Sequence, residues 1–128
     1  MDDMMDVRRV NVVALAYLGD AIYEVYIREK LILSGISHVL ELQKRAVLYV
    51  SAKGQASILK RLLDEEKLTE EEIEVVKRGR NYKRSTHPKH TDIITYKLST
   101  GFEALLGFLY LSRNYDRLAE ILEYIEVK

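Results

Sequence analysis

Two acidic side chains stand in apolar, glycine-containing segments and are the residues best suited to chemistry. Asp20 follows Gly19 in the segment 18–22, and Glu103 lies in the segment 101–107. A carboxylate among apolar residues is costly unless it is paired, hydrogen-bonded or bound to a cation. Two such acids on close-packed helices would supply the oxygen ligands that Mg²⁺ prefers. A divalent cation held there would polarise a phosphate and acidify a bound water, so the pair suits phosphodiester hydrolysis.

Simpler roles for the same two acids stay open on the pattern alone. Thr100 and Glu103 have the spacing of a capping box, in which Glu103 would begin a helix. Asp20 could be a solvated acid on the polar side of its helix, or the partner of a nearby lysine. The residue types therefore indicate a metal site without deciding for it.

The elements that must position these acids are predicted to be helices, because apolar residues recur at steps of three and four. In the first helix, the residues predicted to face inward are Leu15, Leu18, Ile22, Val25, Tyr26 and Leu33. No segment alternates with period two over strand length, so we expect one all-α domain over residues 1–128. The first predicted region, about 11–33, is one long helix or two joined near Gly19, with Asn11 as N-cap and Ser34-Gly35 as terminator. The other predicted helices span 38–50 with Ser37 as cap, a third from Ser51, a fourth from the capping box Thr69/Glu72, a buried helix over 96–111 and a last one over 115–126.

Composition limits the class of protein. The chain has 128 residues, 48% of them hydrophobic and 31% charged, and it has no cysteine. Disulfides and thiolate metal sites are therefore excluded, and a reducing cytoplasm is the expected compartment. The acidic start is unlike a signal peptide, and the longest apolar run, 104–111, is far shorter than the roughly 20 residues that span a bilayer. We expect no membrane partner.

The net charge of zero conceals a marked asymmetry along the chain. Residues 64–74 carry seven acids and one lysine, whereas residues 77–91 carry six lysines and arginines and no acid. Residues 79–91 also lack helical periodicity and contain Gly79 and Pro88, so we expect an exposed loop there. From the residues alone, a solvated basic surface and a contact to a polyanion are both open.

Several separated motifs resemble those of one enzyme family. The segment 15–21 is similar to the signature of ribonuclease III catalytic domains, and 102–107 is similar to their second acidic motif. The closer resemblance is to Mini-ribonuclease III, the short bacterial branch that lacks the double-stranded-RNA-binding domain. That branch also has Ser-Ala-Lys-x-Gln-Ala (here 51–56), Lys-Arg-Gly-Arg-Asn (77–81) and Thr-x-Pro-Lys-x-Thr-Asp (86–92). The resemblance covers nearly the whole chain.

The resemblance implies a fold, an activity and partners. The fold would be the all-α ribonuclease III catalytic domain, acting as a homodimer whose magnesium sites lie along a valley for duplex RNA. Asp20 and Glu103 would be the catalytic acids and the Mg²⁺ ligands. The substrate would be a ribosomal RNA precursor stem in the bacterial cytoplasm, with maturation of the ends of 23S RNA as the role. A ribosomal-protein accessory factor is left open.

Two other classes of function stay open beside the nuclease. The first is a non-catalytic RNA-binding or ribosome-associated protein with the same fold. The second is a helical protein-interaction module without nucleic acid. Retention of both acids argues against the first, and the acid-free basic segment argues against the second.

The chain also departs from the longer relatives at three positions that carry acids there. Val13, Ala16 and Thr100 occupy those positions, so the number of metal ions at each site stays open. Glu24 lies one helical turn after Asp20 on the same face and would be a supplementary ligand. A solvated Glu24, or one paired with a lysine, is an equally good interpretation.

Without a second domain, the catalytic domain itself must hold the RNA. Duplex RNA presents phosphates and 2′-hydroxyls across a shallow minor groove, so contacts should depend on shape more than on sequence. We expect RNA to be bound by basic and hydrogen-bonding side chains of the basic segment, residues 77–91. These side chains are Arg78, Arg80, Asn81, Lys83, Arg84, Thr86 and Lys89.

Overall fold

The structure, a computed structural model, describes residues 6–82 and 92–127, and all regular elements within these residues are helical. The all-α prediction is therefore confirmed. A short 3₁₀ turn at Val7–Arg9 precedes six α-helices. Their bounds are α1 Val12–Leu33, α2 Val39–Val50, α3 Ala52–Asp64, α4 Glu70–Asn81, α5 Ile93–Leu111 and α6 Tyr115–Glu123.

Most helix starts follow from local hydrogen-bonding chemistry. The Asn11 side chain accepts a hydrogen bond from the Val13 amide at 2.7 Å and so caps α1. The capping box of α4 is complete, since Thr69 and Glu72 each accept from the other's backbone amide. These two predictions are confirmed. The predicted cap of α2 was wrong by one residue, because His38 occupies that position and its side chain makes no capping bond.

Helix α5 forms the centre of the fold and packs against α1, α3 and α4. Its side chains from Leu98 to Leu109 are buried, apart from Glu103, which is half-buried. The helix begins at Ile93, where the Asp92 carboxylate accepts from the Thr95 amide at 2.8 Å. Thr100 therefore lies inside the helix, and the capping-box alternative for Thr100 and Glu103 was wrong.

Two glycines bring α1 and α5 into backbone contact. A Cβ atom built on Gly19 would lie 1.8 Å from the Glu103 carbonyl oxygen, and one on Gly107 would lie 2.0 Å from the Leu15 carbonyl oxygen. The pairing of 19 with 103 and of 15 with 107 makes the two helices antiparallel. No residue other than glycine fits at either position without moving a helix.

The inward face of α1 agrees with the predicted one in part, since Leu15 is buried and Ile22 and Tyr26 pack against the core. The face that packs in the core contains Leu15, Tyr23, Ile27 and Leu31, each with no exposed area, whereas Val25 and Leu33 are exposed. The periodicity was ambiguous because α1 is apolar on two faces. Packing of Gly19 against α5 fixes which of the two faces is buried.

The predicted loop over 79–91 begins too early, because α4 continues through Asn81. A Cβ atom on Gly79 would lie 2.8 Å from the Gly101 Cα atom. Gly79 is thus a packing residue that lets α4 approach α5, and it does not break the helix. The remainder of the predicted loop, 83–91, lies outside the described residues. Among the residues described, no helix is both long enough and apolar enough to cross a membrane.

The far end of the bundle is tied by an ion pair between Glu72 of α4 and Arg117 of α6. The Arg117 Nε atom lies 2.7 Å from Glu72 Oε2, and the Glu72 side chain is 5% exposed. Burial of this carboxylate opposes its ionisation, but hydrogen bonds from Arg117 and from the Thr69 amide outweigh burial and lower the pKa of Glu72 below its ordinary 4.5. The folded state therefore binds this proton less readily than the unfolded chain.

We expect Glu72→Gln to lower the free energy of unfolding at neutral pH by about 3 kcal/mol, because a partly buried guanidinium loses its buried charge partner and keeps only the exposed Glu120. Since the pKa of Glu72 is lowered in the folded state, the contribution is present above 4.5 and is lost as the pH falls below that value. Urea unfolding across this range tests the prediction. Glu120→Gln is the control, because Glu120 contacts the same Arg117 but is 68% exposed, so its loss should cost less than about 1 kcal/mol. Equal losses from the two variants would contradict the assignment.

Candidate active site

The two predicted acids lie on the pair of helices that are in backbone contact. Asp20 is exposed on α1, directly after Gly19, and Glu103 is half-buried on α5 at the point where Gly19 meets it. The close approach of the backbones sets both acids at the same level of the bundle. Residues far apart in sequence are thus brought together by a glycine that permits the contact.

The Glu103 carboxylate contacts a third element, the first turn of α3. Gln55 Nε2 donates a hydrogen bond to Glu103 Oε2 at 3.1 Å and another to the Val50 carbonyl oxygen at 3.0 Å. The Gln55 side chain is almost fully buried, with 2% of its area exposed. Sequence reasoning missed this residue as part of the site. The signal was a polar glutamine at an inward-facing position of α3, between Ala52 and the buried Ala56.

The donor set around the acids is small. Within the described part of the chain, no group of three or more histidine, aspartate or glutamate side chains is gathered closely enough to hold a metal ion. Two carboxylates suit a cation that keeps most of its water, as Mg²⁺ does when it is bound through one or two carboxylates and substrate phosphates. The residues present therefore fit a hydrated magnesium ion better than a calcium ion enclosed by protein ligands.

Glu24, the suggested supplementary ligand, has a partner of its own. Its Oε1 atom lies 3.1 Å from Arg28 Nε, one turn further along α1. An exposed pair of this kind contributes only a few tenths of a kcal/mol, so the carboxylate is held weakly. The structure thus shows the charge-paired alternative for Glu24, with an arginine in place of the lysine we considered.

Packing explains the three positions that lack the acids of longer relatives. Ala16 is 4% exposed and Thr100 is 3% exposed, and the Thr100 hydroxyl donates to the Tyr96 carbonyl oxygen within its own helix. Val13 is half-buried against the core. A carboxylate at Ala16 or Thr100 would need a partner in these surroundings.

The basic candidates that the structure describes lie at the end of α4. Arg78 is exposed, and its Nη2 atom donates to the Val10 carbonyl oxygen at 3.1 Å, so it ties α4 to the start of the chain. Arg80 is half-buried and donates through Nε to Asn81 Oδ1 at 3.3 Å. The other four candidates, Lys83, Arg84, Thr86 and Lys89, lie outside the described residues.

The end of α4 and the acid pair contact different faces of α5. Gly101 meets α4, whereas Glu103 meets α1 through its backbone and α3 through its carboxylate. Two residues along an α-helix are separated by about 200° around the axis. The end of α4 and the Gly19 contact of α1 therefore lie on different faces of α5.

Comparison with known proteins agrees with this fold. The family model described as "Ribonuclease III domain" matches residues 13–114. Mini-ribonuclease 3 of Streptococcus pneumoniae is 46% identical over 121 residues, covering 94% of both chains. Mini-ribonuclease 3 of Staphylococcus aureus is 41% identical over 127 residues, covering 98% of this chain and 95% of its own. A crystal structure of a protein from Fusobacterium nucleatum has a TM-score of 0.80 at 34% identity, covering 93% of each chain.

The helical fold of the described residues, with Asp20 on α1 and Glu103 on α5 beside the Gly19 contact, is thus that of the catalytic domain of an endoribonuclease family. The chain belongs to the ribonuclease III family, and within it to the Mini-ribonuclease III branch.

Proposed function

We propose that this protein is a magnesium-dependent endoribonuclease that cleaves double-stranded RNA at a site formed by Asp20 and Glu103. The observation that carries the proposal is the backbone contact of Gly19, the residue before Asp20, with Glu103, which supports a site shared by the two acids. Membership of the ribonuclease III family supports the same activity.

In the proposed mechanism, Asp20 and Glu103 each provide carboxylate oxygen to one divalent cation. When bound, this cation supplies Lewis-acid polarisation of the scissile phosphate and makes a nucleophilic water available near neutral pH. The exposed Asp20 faces solvent, where substrate and water can enter. The half-buried Glu103 is held by Gln55, so one of its oxygens is already engaged and its orientation is restricted.

We place the natural substrate among stems of the large-subunit (23S) ribosomal RNA precursor, in the cytoplasm. The resemblance to the Mini-ribonuclease III branch supports this choice, and the absence of cysteine agrees with a reducing compartment. A ribosomal protein that presents the RNA would be an accessory factor in this scheme.

The experiment that tests the function is incubation of the protein with a 23S precursor stem, with Mg²⁺ and with a chelator. The expected result is cleavage at defined positions of the duplex that depends on the metal. Binding without cleavage in the presence of Mg²⁺ would instead favour the non-catalytic RNA-binding alternative. The absence of binding at low salt would favour a protein-interaction module.

We also propose that the active form is a homodimer that uses the apolar outer surface of α1 and α2. Val39, Leu40 and Leu48 of α2 are each more than 60% exposed, and a groove of about 490 Å³ runs between the two helices. An exposed apolar surface of this kind is typical of a protein interface. Sedimentation equilibrium tests the proposal: twice the chain mass of 14.9 kDa is expected, and a monomer at all concentrations would contradict it.

RNA binding should weaken steeply with salt, because each phosphate contact releases condensed counterions. Arg80→Ala should reduce the magnitude of the slope of log K against log [salt] by about one. Arg78→Ala is less suitable, because it would also remove the hydrogen bond from Arg78 to the Val10 carbonyl oxygen. Binding of a duplex by the Asp20→Asn variant at several salt concentrations measures the slope without cleavage. Lys60→Ala, which removes an exposed lysine of α3, is the control and should leave the slope unchanged. If the affinity of Asp20→Asn for the duplex did not depend on salt, the basic segment would not contact RNA phosphates.

A further inference from the structure

We propose that Gln55 is a positioning residue, whose buried amide holds the Glu103 carboxylate in the orientation that binds the catalytic cation. The inference rests on the proposed function of Glu103. Gln55 touches neither solvent nor substrate, because its side chain is 2% exposed beneath the acid. It acts on the site only through the hydrogen bond to Glu103 Oε2.

The direction of that hydrogen bond is fixed by a second contact. The same Nε2 atom lies 3.0 Å from the Val50 carbonyl oxygen, which can only accept. The amide nitrogen must therefore face this carbonyl, so the donor and not the acceptor of Gln55 meets Glu103. The end of α2 thus determines which end of the amide the acid encounters.

The other end of the amide makes no hydrogen bond that would stabilise the fold. Its Oε1 atom is buried and has no hydrogen-bond partner among the described residues. A buried acceptor without a partner destabilises the folded state, and an apolar side chain of the same shape would avoid that loss. The amide is therefore explained by the donors of its nitrogen, which serve Glu103 and the Val50 carbonyl oxygen.

A neutral donor also suits a carboxylate that must bind a cation. A lysine or arginine at this position would hold Glu103 as well, but its positive charge would repel the metal. Gln55 restricts the rotation of the carboxylate and occupies Oε2 through one bond, which leaves the negative charge uncompensated by the amide. Contacts that orient a metal ligand in this way commonly change metal affinity or activity by about 10- to 100-fold when they are removed.

The test uses Gln55→Leu, which keeps the size and loses the donor, and Gln55→Glu, which replaces the donor by a second carboxylate. The affinity for Mn²⁺ alone is measured by titration with electron paramagnetic resonance. The kcat and KM for a duplex RNA and the thermal unfolding midpoint are measured as well. For Gln55→Leu we expect Mn²⁺ affinity to fall about 10- to 100-fold, kcat at fixed metal to fall with it and KM for RNA to stay unchanged. The midpoint should change little, because loss of the bond to the Val50 carbonyl oxygen opposes removal of the unpaired Oε1 atom. Gln55→Glu should change the Mn²⁺ affinity even if the leucine variant fails to fold.

The control is Ser99→Ala, which also removes a buried polar group near the site. Ser99 is 4% exposed and donates to the Tyr96 carbonyl oxygen at 2.7 Å, within α5. It should leave Mn²⁺ affinity unchanged. Wild-type Mn²⁺ affinity in both Gln55 variants would overturn the inference. Glu103→Gln distinguishes failure of the Gln55 role from failure of the proposed function. If Glu103→Gln abolishes cleavage while the Gln55 variants are normal, only the role of Gln55 is wrong. If Glu103→Gln also cleaves normally, the proposed function is wrong.

Discussion

Asp20→Asn is expected to lower the rate of duplex cleavage by about a thousand-fold, comparable to the loss of one group that stabilises charge in a transition state. The amide has the size of the carboxylate but lacks its charge and one of its oxygen ligands. Because Asp20 is exposed, the exchange should change the free energy of unfolding by less than about 0.5 kcal/mol. Duplex binding in the absence of metal should be unchanged. Single-turnover cleavage under saturating RNA, together with urea unfolding, measures these effects.

Asp64→Asn is the matched control for this variant. Asp64 is also an exposed aspartate on a helix, at the end of α3, and its change to asparagine should leave cleavage at the wild-type rate. A wild-type rate for Asp20→Asn would end the assignment of Asp20 to the catalytic centre. If Asp20→Asn lost cleavage because it unfolds, the result would contradict the expectation that a change at this exposed position leaves the fold intact.

Gly19→Ala is expected to destabilise the protein by about 3 kcal/mol or more, because overpacking at a rigid contact is costly. The new Cβ atom would lie 1.8 Å from the Glu103 carbonyl oxygen, a backbone atom that cannot rotate away. Helices α1 and α5 must separate to admit it, and the two acids separate with them. We therefore expect loss of both stability and cleavage from one added methyl group, measured by thermal unfolding and by single-turnover cleavage.

The expected loss of stability in Gly19→Ala is opposite in sign to the effect of helix propensity. Helix propensity alone would make alanine more stable than glycine inside a helix by about 1 kcal/mol. Gly35→Ala is the control at the end of the same helix: Gly35 has a φ of 106° and nothing within 4 Å of a new Cβ atom. Gly35→Ala should destabilise the protein by only about 1 kcal/mol through backbone strain. Cleavage by this variant should be unchanged under conditions in which it is folded. A stabilised Gly19→Ala variant would show that the helices do not pack at this glycine.

The parts of the fold that could be predicted are those that depend on short-range chemistry. The Asn11 cap, the Thr69/Glu72 capping box and the buried α5 each follow from residues within a few positions of one another. The inward face of α1 could be predicted only in part, because both of its faces are apolar. Its choice depends on the distant α5, which meets Gly19.

The site shows the same division between local and distant information. Asp20 and Glu103 could be identified as candidates because each is an acid in an apolar, glycine-containing segment. The contact of Gln55 with Glu103 joins residues 48 positions apart, and no local pattern links an inward glutamine on α3 to an acid on α5. Gly79 illustrates the opposite error, since a glycine that local rules assign to a loop is needed inside α4 for packing against Gly101.

Crystals soaked in Mn²⁺ would show whether Asp20 and Glu103 share one divalent cation. We expect a single anomalous peak between α1 and α5, with an oxygen of each carboxylate at about 2.0–2.3 Å, close to the distances of octahedral Mg²⁺. The peak should be lost in Asp20→Asn and in Glu103→Gln. A metal bound by only one of the two acids, or at another place altogether, would show that the acids do not form a shared site.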